Sequence, residues 1–99
     1  MSRYRVSLTP KADEQVMASY EWGVANWGEE AANNWVRELY RVVFGRLSEF
    51  PLGCSIAPES GGLQQEISQL LFGRYRILFR VIADRVIVMN IRGPFAGNQ

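Results

Sequence analysis

Few side chains in this protein could do chemistry, and most of them are arginines. The chain has 99 residues and no histidine. That removes Ser-His-Asp and Cys-His arrangements, histidine general bases and histidine metal sites. Its glycines never fall at the spacing of a phosphate-cradling loop or a dinucleotide fingerprint. What remains is arginine, tyrosine, the carboxylates, the single Lys11 and the single Cys54. Cys54 stands between Gly53 and Ser55, which supply neither a base nor a thiolate-stabilising cation, so it reads as a loop thiol packed under a turn. No metal and no cofactor are expected.

The arginines are unevenly placed. Residues 1–66 hold six basic and nine acidic side chains, a net of −3, whereas residues 67–99 hold Arg74, Arg76, Arg80, Arg85 and Arg92 against Asp84 alone, a net of +4. Guanidinium groups hold phosphates and stabilise charge developing on them. They cannot take up a proton. The one acid at the start of the sheet that carries them is Glu66, just ahead of this region. A basic C-terminal third on a mildly acidic base points to a polyanionic or acidic partner, or to arginines that keep an exposed sheet soluble.

The elements that must position these arginines follow from periodicity. Residues 66–92 read as three short strands joined by tight turns at Gly73-Arg74 and Ala83-Asp84. From Tyr75 the chain alternates, with Tyr75, Ile77, Phe79 and Val81 on one side and Arg76, Leu78, Arg80 and Ile82 on the other. Arg85 to Arg92 is rich in β-branched residues and reads as the hairpin partner. One face is then apolar and the other carries arginines. So small a sheet is marginal alone and must lay its apolar face on something else.

The first half supplies the cover. Arg3 to Thr9 alternates as an N-terminal strand, and Thr9-Pro10 starts a helix with a capping threonine and a proline at its first position. Asp13 and Glu14 suit the positive end of the helix dipole. The first helix is expected to run to about Trp27, with Ala12, Val16, Tyr20, Val24 and Trp27 as its apolar stripe. Gly28 breaks it. A second helix is expected from about Glu29 to Phe50, stopped by Pro51, with Ala32, Trp35, Leu39, Val43, Leu47 and Phe50 on one face. So short a connection requires an antiparallel helical hairpin. Arg37, Arg41 and Arg46 fall on the polar side of the second helix, in reach of Glu38 or Glu49. Residues 51–65 read as a loop by their prolines and glycines, and 93–99 as a frayed tail. The expectation is one α+β domain over residues 1–99, ordered βααβββ, with the hairpin packed on one face of a small antiparallel sheet.

Composition fits that plan. Apolar residues make up 47% and charged residues 21%, as in an ordinary globular protein with one core. No apolar run approaches the ~20 residues needed to span a bilayer, and no signal-peptide pattern opens the chain. A cytoplasmic protein without a membrane role is expected.

The sequence resembles the RelE/ParE superfamily of bacterial toxin–antitoxin toxins, from Tyr4 to Gly93. The resemblance is carried by YRVSLTPKA, by a helical hairpin ending in LSEFP, and above all by LLFGRYRILFRVIADRVIVMNIR. Members commonly show an arginine after an aromatic residue in a strand, then a hairpin of valines and a basic last strand. The segment FPLGCSIAPES resembles a branch whose arginine-bearing strand follows LLxG. Arg76 matches the family's sheet arginine, and Arg92 falls near its C-terminal basic residue.

The resemblance implies a toxin neutralised by a small cognate antitoxin, which wraps it with a helix and an extended segment in a hetero-oligomer. It also implies one of two targets. RelE-like members cleave mRNA on the ribosome, and there Arg76 and Arg92 would be catalytic. ParE-like members bind DNA gyrase and perform no chemistry, and there Arg74, Arg76, Arg80 and Arg92 would form a target-binding face. The chain departs from the nuclease pattern. Glu66-Ile67-Ser68-Gln69 stands where RelE-like enzymes carry lysines, no tyrosine follows Arg92, and Gly93-Pro94-Phe95-Ala96 replaces a basic cluster. The departures favour the gyrase-binding reading over the nuclease, with a non-toxic binding module as the third.

Overall fold

The computed structural model describes residues 4–60 and 66–93. The expected tail 93–99 therefore lies outside the described residues except for Gly93. The same holds for residues 61–65 of the expected loop.

Strand β1 (Arg5–Leu8) leads into helix α1 (Pro10–Trp27). Thr9 caps α1 as the sequence suggests: its hydroxyl accepts from the Ala12 N–H at 3.2 Å, with Pro10 next in line. Gly28 ends α1 and opens helix α2 (Glu29–Glu49). A single residue reverses the chain because Gly28 adopts φ 99°, in the left-handed half of the map that side chains disfavour. Its N–H bonds the Val24 carbonyl, closing one helix, and its own carbonyl accepts from Ala32, starting the next.

Three strands follow the helices in antiparallel order: β3 (Ser68–Phe72), β4 (Tyr75–Ile82) and β5 (Arg85–Arg92). Their turns fall at Gly73-Arg74 and Ala83-Asp84. Among the described residues the sheet has five strands in the order β1-β5-β4-β3-β2. The additional strand is β2 (Ser55–Ile56), two residues paired antiparallel with Ser68 and Gln69. It lies inside the segment expected to be only a loop. Two residues between turns are too short for any period to be read, so pairing with β3 alone makes them a strand. Short 3₁₀ turns flank β2 at Pro51–Gly53 and Pro58–Ser60.

Strand β1 closes the other edge, parallel to β5, with Arg5 opposite Arg85 and Leu8 opposite Val88. Beyond Val88 the chain leaves β1 for α1, and the edge of β5 needs other partners. A bulge in the β4–β5 ladder, where Leu78 pairs with Asn90 but Phe79 with Val88, makes Met89 the extra residue. Groups at the start of α1 complete the edge. The Thr9 hydroxyl donates to the Met89 carbonyl, the Ile91 N–H donates to Gln15 Oε1 at 2.6 Å, and Gln15 Nε2 donates to Asn90 Oδ1 at 3.2 Å.

The helices cover one face of the sheet. Ala12 and Val16 from α1 and Leu39, Val43 and Leu47 from α2 pack on Leu70, Tyr75, Ile77, Phe79, Val86, Val88 and Ile91. Phe79 lies at the centre with 0% exposure.

Two stripes differ from expectation. The buried face of α1 is Ala12, Val16, Ser19 and Gly23, while Val24 and Trp27 are exposed, Trp27 at 42%. Close approach of two helices favours small side chains: a Cβ on Gly23 would sit 3.0 Å from Trp27 and 3.4 Å from Ala32. The sequence stripe followed the larger residues one position along. Trp27 packs edge-on against Trp22, with centroids 5.3 Å apart. On α2 the expected face holds up to Leu47. Phe50 lies beyond the helix end, at φ −133°, and is 64% exposed.

Candidate functional site

The uncovered face of the sheet carries the arginines, and its geometry follows from strand alternation and register. Tyr75, Ile77 and Phe79 turn to the helices, so Arg76, Leu78 and Arg80 turn away. Arg92 is the register partner of Arg76 across β4 and β5. Opposite residues of an antiparallel pair have Cβ atoms about 4.5–5.5 Å apart. The pairing therefore makes Arg76 and Arg92, sixteen positions apart in the chain, immediate neighbours.

Gln69 orients Arg76. Its Oε1 accepts from Arg76 Nε at 3.0 Å, reaching over from β3. In the sequence Gln69 counted only as a place where a lysine was missing; here it is the residue that aims Arg76. Register explains this, since β3 pairs Leu71 with Arg76 and Gln69 with Leu78, which puts Gln69 diagonally beside Arg76.

The other candidates are placed less tightly. Arg74 is exposed in the β3–β4 turn, two residues before Arg76. Arg80 is half-buried on the same face as Arg76, about 13 Å further along the strand at ~3.3 Å per residue. Leu78, between them, is only 2% exposed and stands outside the main core, at the position where the bulge interrupts the ladder.

Among the described residues, groups that could move a proton are not gathered on this face. Tyr75 lies on the opposite side of the sheet, 3% exposed, with its ring centroid 5.0 Å from that of Trp35. Glu66 is exposed ahead of β3. Among the described residues, no three His, Cys, Asp or Glu side chains converge as a metal site would need.

Cys54 is half-buried, and its burial pushes the thiol up from its ordinary value, with the charge of Arg46 opposing. A raised thiol is a poor nucleophile. On α2, Arg41 pairs with Glu38, and this hydrogen bond lowers the Glu38 carboxyl and raises the guanidinium. Arg37 donates to Asn34 instead. All of these groups are at the surface, where such pairs contribute little.

A second surface lies on the hairpin. A groove of about 370 Å³ runs between α1 and α2, lined by Asp13, Val16, Met17, Tyr20, Asn33, Val36 and Tyr40. The Tyr20 hydroxyl donates to Asn33 Oδ1 at 2.7 Å and ties the helices together. Burial, and then the charge of Asp13, raise the Tyr40 hydroxyl, so it stays protonated at neutral pH.

No family model matches the sequence, nor does any curated protein. Solved structures do. A chain of the chromosomal ParDE TA system from P. aeruginosa superposes with a TM-score of 0.77 at 19% identity, covering 92% of this chain and 96% of that one. A chain of the toxin–antitoxin complex RelBE2 from Mycobacterium tuberculosis superposes with a TM-score of 0.65 at 18% identity, covering 94% and 93%. Both superpositions span the helical hairpin and the sheet together. The chain has the RelE/ParE fold.

Proposed function

We propose that the protein is a toxin of a bacterial type II toxin–antitoxin system that acts by binding, with DNA gyrase as its target in the cytoplasm and a cognate antitoxin as its inhibitor. The observation that carries this reading is the character of the arginine face. It gathers Arg76, aimed by Gln69, and Arg92, and among the described residues no proton acceptor is gathered beside them. Loss of a general base typically lowers a rate by ~10²–10⁴, so the face is better suited to holding a partner than to cutting one. The likeness to ParDE, with its TM-score of 0.77, supports the same branch. The groove between α1 and α2, with Met17, Val36 and Tyr40 on its walls, offers an apolar seat for the helix of an antitoxin.

Induction of the wild type and of Arg76→Ala in cells without antitoxin tests the proposal, with growth followed alongside the SOS response. Arrest with SOS induction by the wild type, weakened in Arg76→Ala, is the expected outcome. Purified protein that leaves gyrase supercoiling untouched at high concentration overturns it.

One observation favours a second reading, an mRNA endonuclease dependent on the ribosome. Two guanidinium groups on neighbouring strands can share the charge of a phosphate as it develops in cleavage. Primer extension on translated mRNA that finds no A-site cuts removes this reading. If neither strain arrests, the protein is a binding module built on a toxin fold.

A further inference from the structure

The arginine face has a second cluster, at the end of the sheet away from Arg76 and Arg92. The parallel β1–β5 register sets Arg5 directly opposite Arg85, and Ser7 opposite Ile87. On the other side of β5, Arg80 is the register partner of Ile87. The register therefore puts three arginines of one face near Ile87, with Ser7 and Arg80 as its partners on either side. Arg5, Ser7, Leu8, Thr9, Arg85 and Ile87 line a shallow concavity of about 380 Å³. No acid lines it. Asp84, next to Arg85 in the chain, accepts from the Arg5 N–H through its main-chain carbonyl, and none of Arg5, Arg80 and Arg85 has an ion pair among the described residues.

Like charges directly opposite on a sheet are destabilising. An uncompensated arginine pair is therefore a cost to the free protein that an anion would relieve. We propose that Arg5, Arg80 and Arg85 form a second basic seat, separate from Arg76 and Arg92, that takes the phosphate backbone of duplex DNA. The inference goes beyond the gyrase reading and does not depend on it.

Three features choose the ligand. The planar fork of arginine matches phosphate oxygens in pairs. Arg80 stands level with Ile87, two residues along from Arg85, so the cluster extends about 7 Å along the strands at ~3.3 Å per residue, enough to meet more than one phosphate. The aromatic side chains of β3 and β4, namely Phe72, Tyr75 and Phe79, all turn to the helices, so among the described residues these strands offer no platform on which unstacked bases of a single strand could lie. A duplex presents its charges already spaced. An acidic peptide would have to be ordered first, at an entropic cost. Contact with phosphates alone is independent of sequence and weakens steeply with salt.

The test is fluorescence anisotropy with the full-length protein and a labelled 20-base-pair DNA duplex, titrated across a series of salt concentrations. The wild type should bind at low salt. The pair Arg5→Ala with Arg85→Ala should lose tenfold or more in affinity there, and its salt slope should fall by about two, near one per phosphate contact. Lysine at both positions should restore most of the slope. Both side chains are exposed and the alanine pair relieves their repulsion, so no variant should melt below the wild type, and this rules out misfolding as the cause. Arg76→Ala should keep the duplex. The proposal is overturned if the wild type fails to bind at low salt, or if the alanine pair binds like the wild type. It is also overturned if the matching single strand binds more tightly, or if polyglutamate displaces the duplex at equal charge. Because gyrase inhibition is read in a separate assay, failure of either proposal leaves the other standing.

Discussion

The two faces of β4 are built from alternate residues of one eight-residue strand, and they do opposite work. Tyr75, Ile77 and Phe79 are sealed under the hairpin, each 3% exposed or less. Arg76 and Arg80, their immediate neighbours in the chain, reach out from a face whose charge is of one sign. Burying apolar surface stabilises the fold by roughly 25 cal/mol per Å². Arginines left in water add almost nothing to that. A strand divided in this way lets stability and recognition change independently, and substitutions should show the division.

The largest effect is expected on the sealed face. Phe79→Ala should lose about 3–5 kcal/mol, a cavity at the centre of the core. Urea denaturation measures it, and a loss below about 1 kcal/mol would mean the core collapses around the gap. Arg76→Ala should change stability by no more than about 0.5 kcal/mol in the same experiment, so any loss of growth arrest in that variant reports recognition.

A test at the rim of the core comes next. A Cβ on Gly93 would lie 2.2 Å from Tyr75 Cε2 and 2.5 Å from Cδ2, and the ring cannot swing freely because Trp35 packs against it. Gly93→Ala should therefore cost about 1–3 kcal/mol as overpacking. Its thermal melt should recover when Tyr75 is also reduced to leucine. No recovery would mean the strain lies in the backbone.

A smaller loss than either of these packing changes concerns the edge of β5 that α1 completes. Gln15→Ala leaves the Ile91 N–H without its acceptor, at a cost of about 1–2 kcal/mol. Hydrogen exchange should quicken at Ile91 while Phe79 stays protected. Exchange that quickens equally at both would show that the edge and the core open as one unit.

Much of this division was legible in the residues. The capping of α1 by Thr9 and Pro10, the break at Gly28, the stop at Pro51 and both hairpin turns are local signals, and each falls where local chemistry puts it. The alternation of β4 is equally local, and it assigned Tyr75 to the core and Arg76 to the opposite face. Where the reading slipped, a distant neighbour decided. The face of α1 was set by how closely Gly23 lets Ala32 approach, and β2 is a strand only because β3 pairs with it.

The candidate site divides along the same line. Periodicity alone determined that a face bearing arginines would exist, and composition that no histidine would serve it. Only the tertiary structure decided which arginines meet. Arg76 joins Arg92 through a register that depends on the bulge at Met89, and Gln69 becomes a partner through the pairing of β3. Arg5 and Arg85 are brought together across the whole helical hairpin, by a parallel pairing for which neither strand carries a mark. Periodicity is a property of neighbours in the chain. Register is settled only when the hydrophobic faces of distant segments are buried together.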